Sequence, residues 1–231
     1  MEFRIGTGGW QYFPIVTADK LKAYSRLFDF VEVNSTYYSH VPLGTVARWR
    51  EVVPPGFEFS VKCSREVNEA LRRGDRERLD HLIDYMTGVC DTLDSMILVL
   101  QTPSTFDPGE VSESLLGRLV DRTREASVRL AWEMRHMDAP SAPSLLRSVG
   151  IIQVTDLSRS SPLAGDDVLY TRLFGLGKHN MYHFAAEDLD RVEERAASSG
   201  SKKAYFAFHS VAMYADALKF KQHIGAKQAQ T

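Results

Sequence analysis

Phe28-Asp29-Phe30-Val31-Glu32-Val33-Asn34-Ser35-Thr36-Tyr37-Tyr38 is the stretch on which the fold turns. It alternates with the period of a strand. Val31 and Val33 take one side, and Phe30, Glu32 and Asn34 the other. A polar, aromatic segment follows, closed by His40 and Pro42. A mid-chain strand that puts a carboxylate and an amide on one face needs a reason. If the strand is parallel and covered on both faces, Glu32 has no water, and an unpaired buried carboxylate is costly.

Outward from this strand, extended and helical patterns alternate. Phe3-Arg4-Ile5-Gly6-Thr7 reads as a first strand running into a glycine-rich turn that ends at Trp10. The glycine spacing does not fit a dinucleotide fingerprint, and no helix opens directly behind it. Further strands are expected over about 57–63, 94–101, 128–136, 151–156, 169–174 and 204–209. Helices are expected over about 17–28, 43–52, 75–90, 109–125, 144–149, 185–198 and 211–223. Residues 65–74 read as a charged loop, and 158–167 as a loop rich in Ser, Pro, Gly and Asp. Met96-Ile97-Leu98-Val99-Leu100 is a continuous apolar run, the pattern of a strand buried on both faces in a parallel sheet. About eight strand–helix repeats predict an α/β fold, a single (β/α)8 TIM-type barrel over residues 1–231. The competing fold is an open doubly wound sheet, which usually has fewer strands and often a phosphate loop near its start.

With 231 residues, 44% hydrophobic and a formal net charge of −2, the chain can bury a large core. The charge gives no reason to expect a nucleic-acid or anionic-membrane binder. No apolar run approaches the roughly 18 residues of a membrane span, and Met1 leads straight into a strand rather than a signal peptide. Cys63 and Cys90 are far apart and lack metal-type spacing, so a reduced, cytoplasmic protein is expected. Oligomeric state is left open.

Strand parity points to a site. Leu130, Trp132 and Met134 suit the helix-facing side, which turns Arg129, Ala131, Glu133 and Arg135 into the barrel. The same rule sends Glu32, Asn34, Ser60, Lys62, Gln101, Arg172 and His209 inward. The sixth strand is ambiguous between Asp156 and the Gln153/Thr155 face. Polar groups thus gather at the C-terminal strand ends, where barrel enzymes keep their catalytic groups. The bland alternative is an internal ion-pair network of Glu32 and Glu133 with Lys62, Arg135 and Arg172. Those three cations outnumber the two glutamates, and paired guanidinium groups suit phosphate or carboxylate oxygens.

The expected function is therefore an enzyme, a hydrolase or lyase, acting on a small anionic or phosphorylated, sugar- or nucleotide-like substrate. Glu32 and Glu133 are the expected acid and base. Lys62, Arg135 and Arg172 form the anion clamp, and Asn34, Thr36, Tyr37, Gln101, His136, Asp156 and His209 complete the substrate-binding lining. The alternatives are a non-catalytic metabolite-binding protein and a metal-dependent hydrolase. His136, Asp156 and His209 with a glutamate are metal-type donors, but no local spacing such as His-x-x-x-His supports a metal. No metal and no cofactor are expected. Cys63 lies on the apolar parity of its strand and reads as packing.

Several blocks come in the order seen in the DUF72 (YecE-like) family, which the chain resembles over nearly its whole length. They are Ile5 to Trp10, Val31 to Tyr38, Phe57 to Lys62, Gln101-Thr102-Pro103, Trp132 to His136, Asp156 and Tyr170 to Gly175. The resemblance implies a TIM-type barrel and carries no settled activity. Thr102 stands where a proline is common, and His209-Ser210 where an asparagine pair is expected.

Overall fold

A computed structural model describes residues 1–106, 111–134, 150–162, 165–177 and 180–228. Eight parallel strands close into a barrel in chain order: β1 (Glu2–Thr7), β2 (Phe30–Val33), β3 (Glu58–Lys62), β4 (Ile97–Thr102), β5 (Arg129–Met134), β6 (Ile152–Thr155), β7 (Val168–Leu173) and β8 (Lys203–Phe208). Among the described residues the helices are α1 (Lys20–Tyr24), α2 (Ser35–Tyr38), α3 (Leu43–Glu51), α4 (Arg65–Arg73), α5 (Arg76–Thr92), α6 (Glu113–Glu125), α7 (Ala186–Ser198) and α8 (Met213–Gln228). The expected helix over 144–149 lies outside the described residues. No helix among them is long and apolar enough to cross a membrane.

Register agrees with the parity reading for β4, β5, β7 and β8. Partners in a parallel ladder share a face, and Gln101 pairs with Glu133, Val99 with Ala131 and Arg172 with Ala207. The sixth strand is settled the same way. Ile152 pairs with Ala131 and Val154 with Tyr170, so Ile152, Val154 and, beyond the strand end, Asp156 continue the inward parity. Gln153 pairs with Trp132 and shares its helix-facing side. Trp132 is fully buried there.

The charged loop expected over 65–74 is instead α4. The Ser64 side chain caps its start by accepting from Glu66 N, and Val67, Ala70 and Leu71 are buried. Gly74 ends it in the left-handed region, φ 69°, where a side chain would be strained. At the other end of the length scale, α1 is shorter than the expected 17–28. Asp19 caps it and Ser25 closes it.

The chain divides into two compact units. The first comprises residues 1–32, 53–58 and 154–231, the second residues 33–52 and 59–153. In the first unit Tyr24 holds the seam between β1 and β2: its hydroxyl donates to Phe30 O (2.9 Å) and accepts from Thr7 N (2.9 Å). Gly6 makes this approach possible, because a Cβ there would lie 1.9 Å from Phe30 O and 2.9 Å from the Tyr24 hydroxyl.

At the N-terminal strand ends of the same unit, Glu58 accepts from Lys203 Nζ (2.7 Å), Tyr205 Oη (2.6 Å) and Arg4 Nε. Burial alone would raise the Glu58 carboxyl, but these three donors hold it below its ordinary range. A depressed carboxyl stabilises the fold above its unfolded value of about 4.5 and loses that contribution as pH falls through the folded value. Glu58→Gln is expected to lower stability at pH 7 and to flatten the acid limb below about pH 4.5, as read by urea unfolding across pH 3–7. An unchanged acid limb would contradict this.

Candidate functional site

The first unit builds its polar cluster on Glu32. β2 delivers the side chain with no solvent exposure. Tyr170 Oη donates to Glu32 Oε2 at 2.9 Å, and Arg172 Nε lies 3.1 Å from the same oxygen. His209 Nε2 lies 3.3 Å from Glu32 Oε1 and 3.2 Å from Arg172 Nε. Arg172 shares its single Nε hydrogen between Glu32 Oε2 and His209 Nε2, so His209 Nε2 is an acceptor here, beside Glu32 Oε1. Phe174 backs the pair: its ring stacks on His209 with centroids 5.0 Å apart, and the Arg172 guanidinium carbon sits 5.4 Å from its centre. Beneath lie Phe30, Tyr170 and Tyr205 in mutual ring contact. Arg172 is 2% exposed, whereas the His209 side chain keeps 9%, so His209 is the member that meets solvent.

Asp156 follows β6 and organises the loop behind it. Its Oδ1 accepts from Ser158 N (2.9 Å) and Ser158 Oγ (2.5 Å), and its Oδ2 from Phe174 N (3.2 Å). Burial raises its carboxyl above the ordinary value; the hydrogen bonds from Ser158 and Phe174 and the Arg159 guanidinium at 3.3 Å oppose this.

The second unit builds a separate cluster at the ends of β3, β4 and β5. Gln101 Nε2 donates to Glu133 Oε1 at 2.9 Å, across the registered pair, and both side chains are half-buried. Behind them Trp132 Nε1 donates to Thr102 Oγ1 (3.1 Å), which is 3.3 Å from Glu133 O. Lys62, 6% exposed, carries its ammonium 4.2 Å from the centre of the Tyr37 ring. Thr36 is buried and donates to Lys62 O at 2.6 Å, tying α2 to β3. Asn34 stands half-buried at the start of α2, where its side chain makes no capping bond.

Of the residues singled out in the sequence, Glu32, Asp156, Arg172 and His209 fall in the first unit. Asn34, Thr36, Tyr37, Lys62, Gln101 and Glu133 fall in the second. Arg135 and His136 lie outside the described residues. Sequence reasoning passed over Tyr170, although it shares strand and parity with Arg172. It also passed over Glu58 and Asn68, which have no signal of their own. Cys63 is buried and desolvation pushes its thiol up to about 12, in keeping with packing. Among the described residues one cluster has donors close enough together for a metal ion, Asp190, Glu193 and His223. Lys227 already bonds both of its carboxylates.

An eight-stranded parallel barrel with polar groups at its C-terminal strand ends belongs to the TIM-barrel class. The sequence profile described as "Protein of unknown function DUF72" matches residues 4–231, and the chain belongs to that family. A DUF72 family protein from Thermotoga maritima has the same fold, with TM-score 0.75 and 21% identity over 97% of this chain and all of the other. A DUF72 family protein from Enterococcus faecalis gives TM-score 0.71 and 14% identity over 96% and 97% of the two chains. Beyond the family, a sugar phosphate isomerase/epimerase from Parabacteroides distasonis shares the barrel, with TM-score 0.61 and 9% identity over 96% of each chain. No curated protein matches the chain.

Proposed function

We propose that the protein is an enzyme acting on a small anionic or phosphorylated, sugar- or nucleotide-like substrate by carboxylate acid–base chemistry at the C-terminal end of the second unit's strands. The observation that carries this reading is the Gln101–Glu133 pair. It is a half-buried carboxylate at a strand end, oriented by an amide at 2.9 Å and left accessible enough to exchange a proton. Lys62 is the cation for the substrate's charge, and Tyr37 and Asn34 offer a ring face and an amide beside it. In the first unit Glu32 is a bracing carboxylate within its own cluster. It is wholly buried, held by Tyr170 and Arg172, with His209 Nε2 3.3 Å from its other oxygen. The shared fold with a sugar phosphate isomerase/epimerase is in keeping with this substrate class.

Binding tests the reading directly. Calorimetric titration of the whole chain with ribose 5-phosphate, adenosine monophosphate and inorganic phosphate should give saturable binding of at least one phosphoester. Added salt should weaken that binding. Lys62→Met should weaken it about tenfold or more, the effect of losing one charge-assisted hydrogen bond. Absence of binding by all three probes, or unchanged affinity in Lys62→Met, would contradict the proposal.

A further inference from the structure

α4 carries a residue that completes the sheet beside the candidate acid–base group. Cys63 N donates to Val99 O at 2.8 Å, a rung between β3 and β4. In a parallel ladder the next rung would bring the N–H of residue 65 to the Gln101 carbonyl. Arg65 instead opens α4. Asn68, one turn into that helix, supplies the missing donor: its Nδ2 gives a 2.9 Å hydrogen bond to Gln101 O. The same Gln101 uses its side chain to hold Glu133 at 2.9 Å. A helix side chain therefore pins the residue that orients the carboxylate.

Asn68 is an odd choice if packing were its only task. It is 7% exposed, and only its amide nitrogen can donate to a carbonyl, which fixes which way the group points. Its Oδ1 is then buried with no hydrogen-bond partner among the described residues, and that burial is unfavourable. Leucine, of similar size, would remove the unsatisfied oxygen and fill the space. What leucine could not do is hold the Gln101 carbonyl.

We infer that Asn68 is a positioning residue for Glu133, acting through Gln101. This rests on the reading of Glu133 as the acid–base group. The test reads geometry rather than turnover, so the two can fail separately. Glutamate labelled with carbon-13 at its carboxyl, assigned by Glu133→Gln, reports the titration midpoint of Glu133 in the whole chain. Gln101→Leu removes the donor that favours the charged form, so the midpoint should rise. Asn68→Leu should also raise it, while thermal stability changes little. The effects should not add: Asn68→Leu in a Gln101→Leu background should move the midpoint no further. A midpoint unmoved by Asn68→Leu, or shifted equally in both backgrounds, would overturn the assignment. If Asn68→Leu does not fold, Asn68→Ala is measured in the same cycle. Unfolding with both replacements would make Asn68 a folding residue and would likewise overturn it. Loss of turnover on Glu133→Gln tests the underlying reading, whatever Asn68 does.

Discussion

Arg172→Ala should destabilise the protein by about 3–5 kcal/mol, the usual consequence of removing one partner from a buried ion pair. The reason lies in what is left behind. Glu32 has no exposure, and Arg172 is the permanent cation beside it, at 3.1 Å. Tyr170 still donates to the carboxylate in the variant, which puts the expected loss toward the lower end of that range. A charge-free double variant, Glu32→Gln with Arg172→Met, should recover much of it, because an apolar replacement of both partners leaves no buried charge. Guanidinium unfolding of wild type, single and double variants measures this. A single variant within about 1 kcal/mol of wild type would mean that the Glu32 cluster braces nothing, since surface pairs are worth that little.

Much of this was legible in the sequence, for reasons that are themselves physical. The Leu130, Trp132, Met134 alternation is strong because the helix-facing side of a barrel strand is packed tightly. That alternation alone assigns the inward face of β5, and with it Glu133. The sixth strand resisted the same treatment. It is four residues long, with polar Gln153 and Thr155 on one parity and Asp156 just past its end on the other, so only its pairing with Ala131 and Tyr170 decides that Asp156 continues the inward face. α4 was hidden by its own charges: two glutamates and three arginines outnumber Val67, Ala70 and Leu71, the residues that anchor it. Asn68 and Glu58 could not be read at all. Their partners Gln101 and Lys203 lie 33 and 145 residues away, and an amide or carboxylate on a helix face or strand start has no pattern to betray it.

Glu133→Gln should abolish turnover of the protein's substrate by about 100-fold to 10,000-fold, the range typical of a positioned general acid or base. Its affinity for the same substrate should change little. Glutamine keeps the shape of glutamate and can still hydrogen-bond Gln101, so the cluster of Gln101, Thr102 and Trp132 should stay in place. What the replacement removes is the proton-exchanging carboxylate alone. A lost interaction that lowers kcat and leaves binding intact is one made in the transition state.

That split is the measurement to make first. A phosphoester found to bind in the calorimetric titration should be followed for conversion by NMR with wild type and with Glu133→Gln, and its affinity measured for both. Conversion by wild type only, with equal binding by both proteins, is the predicted result. Equal conversion by the two proteins, or binding without conversion by either, would contradict the assignment of Glu133 as the acid–base group.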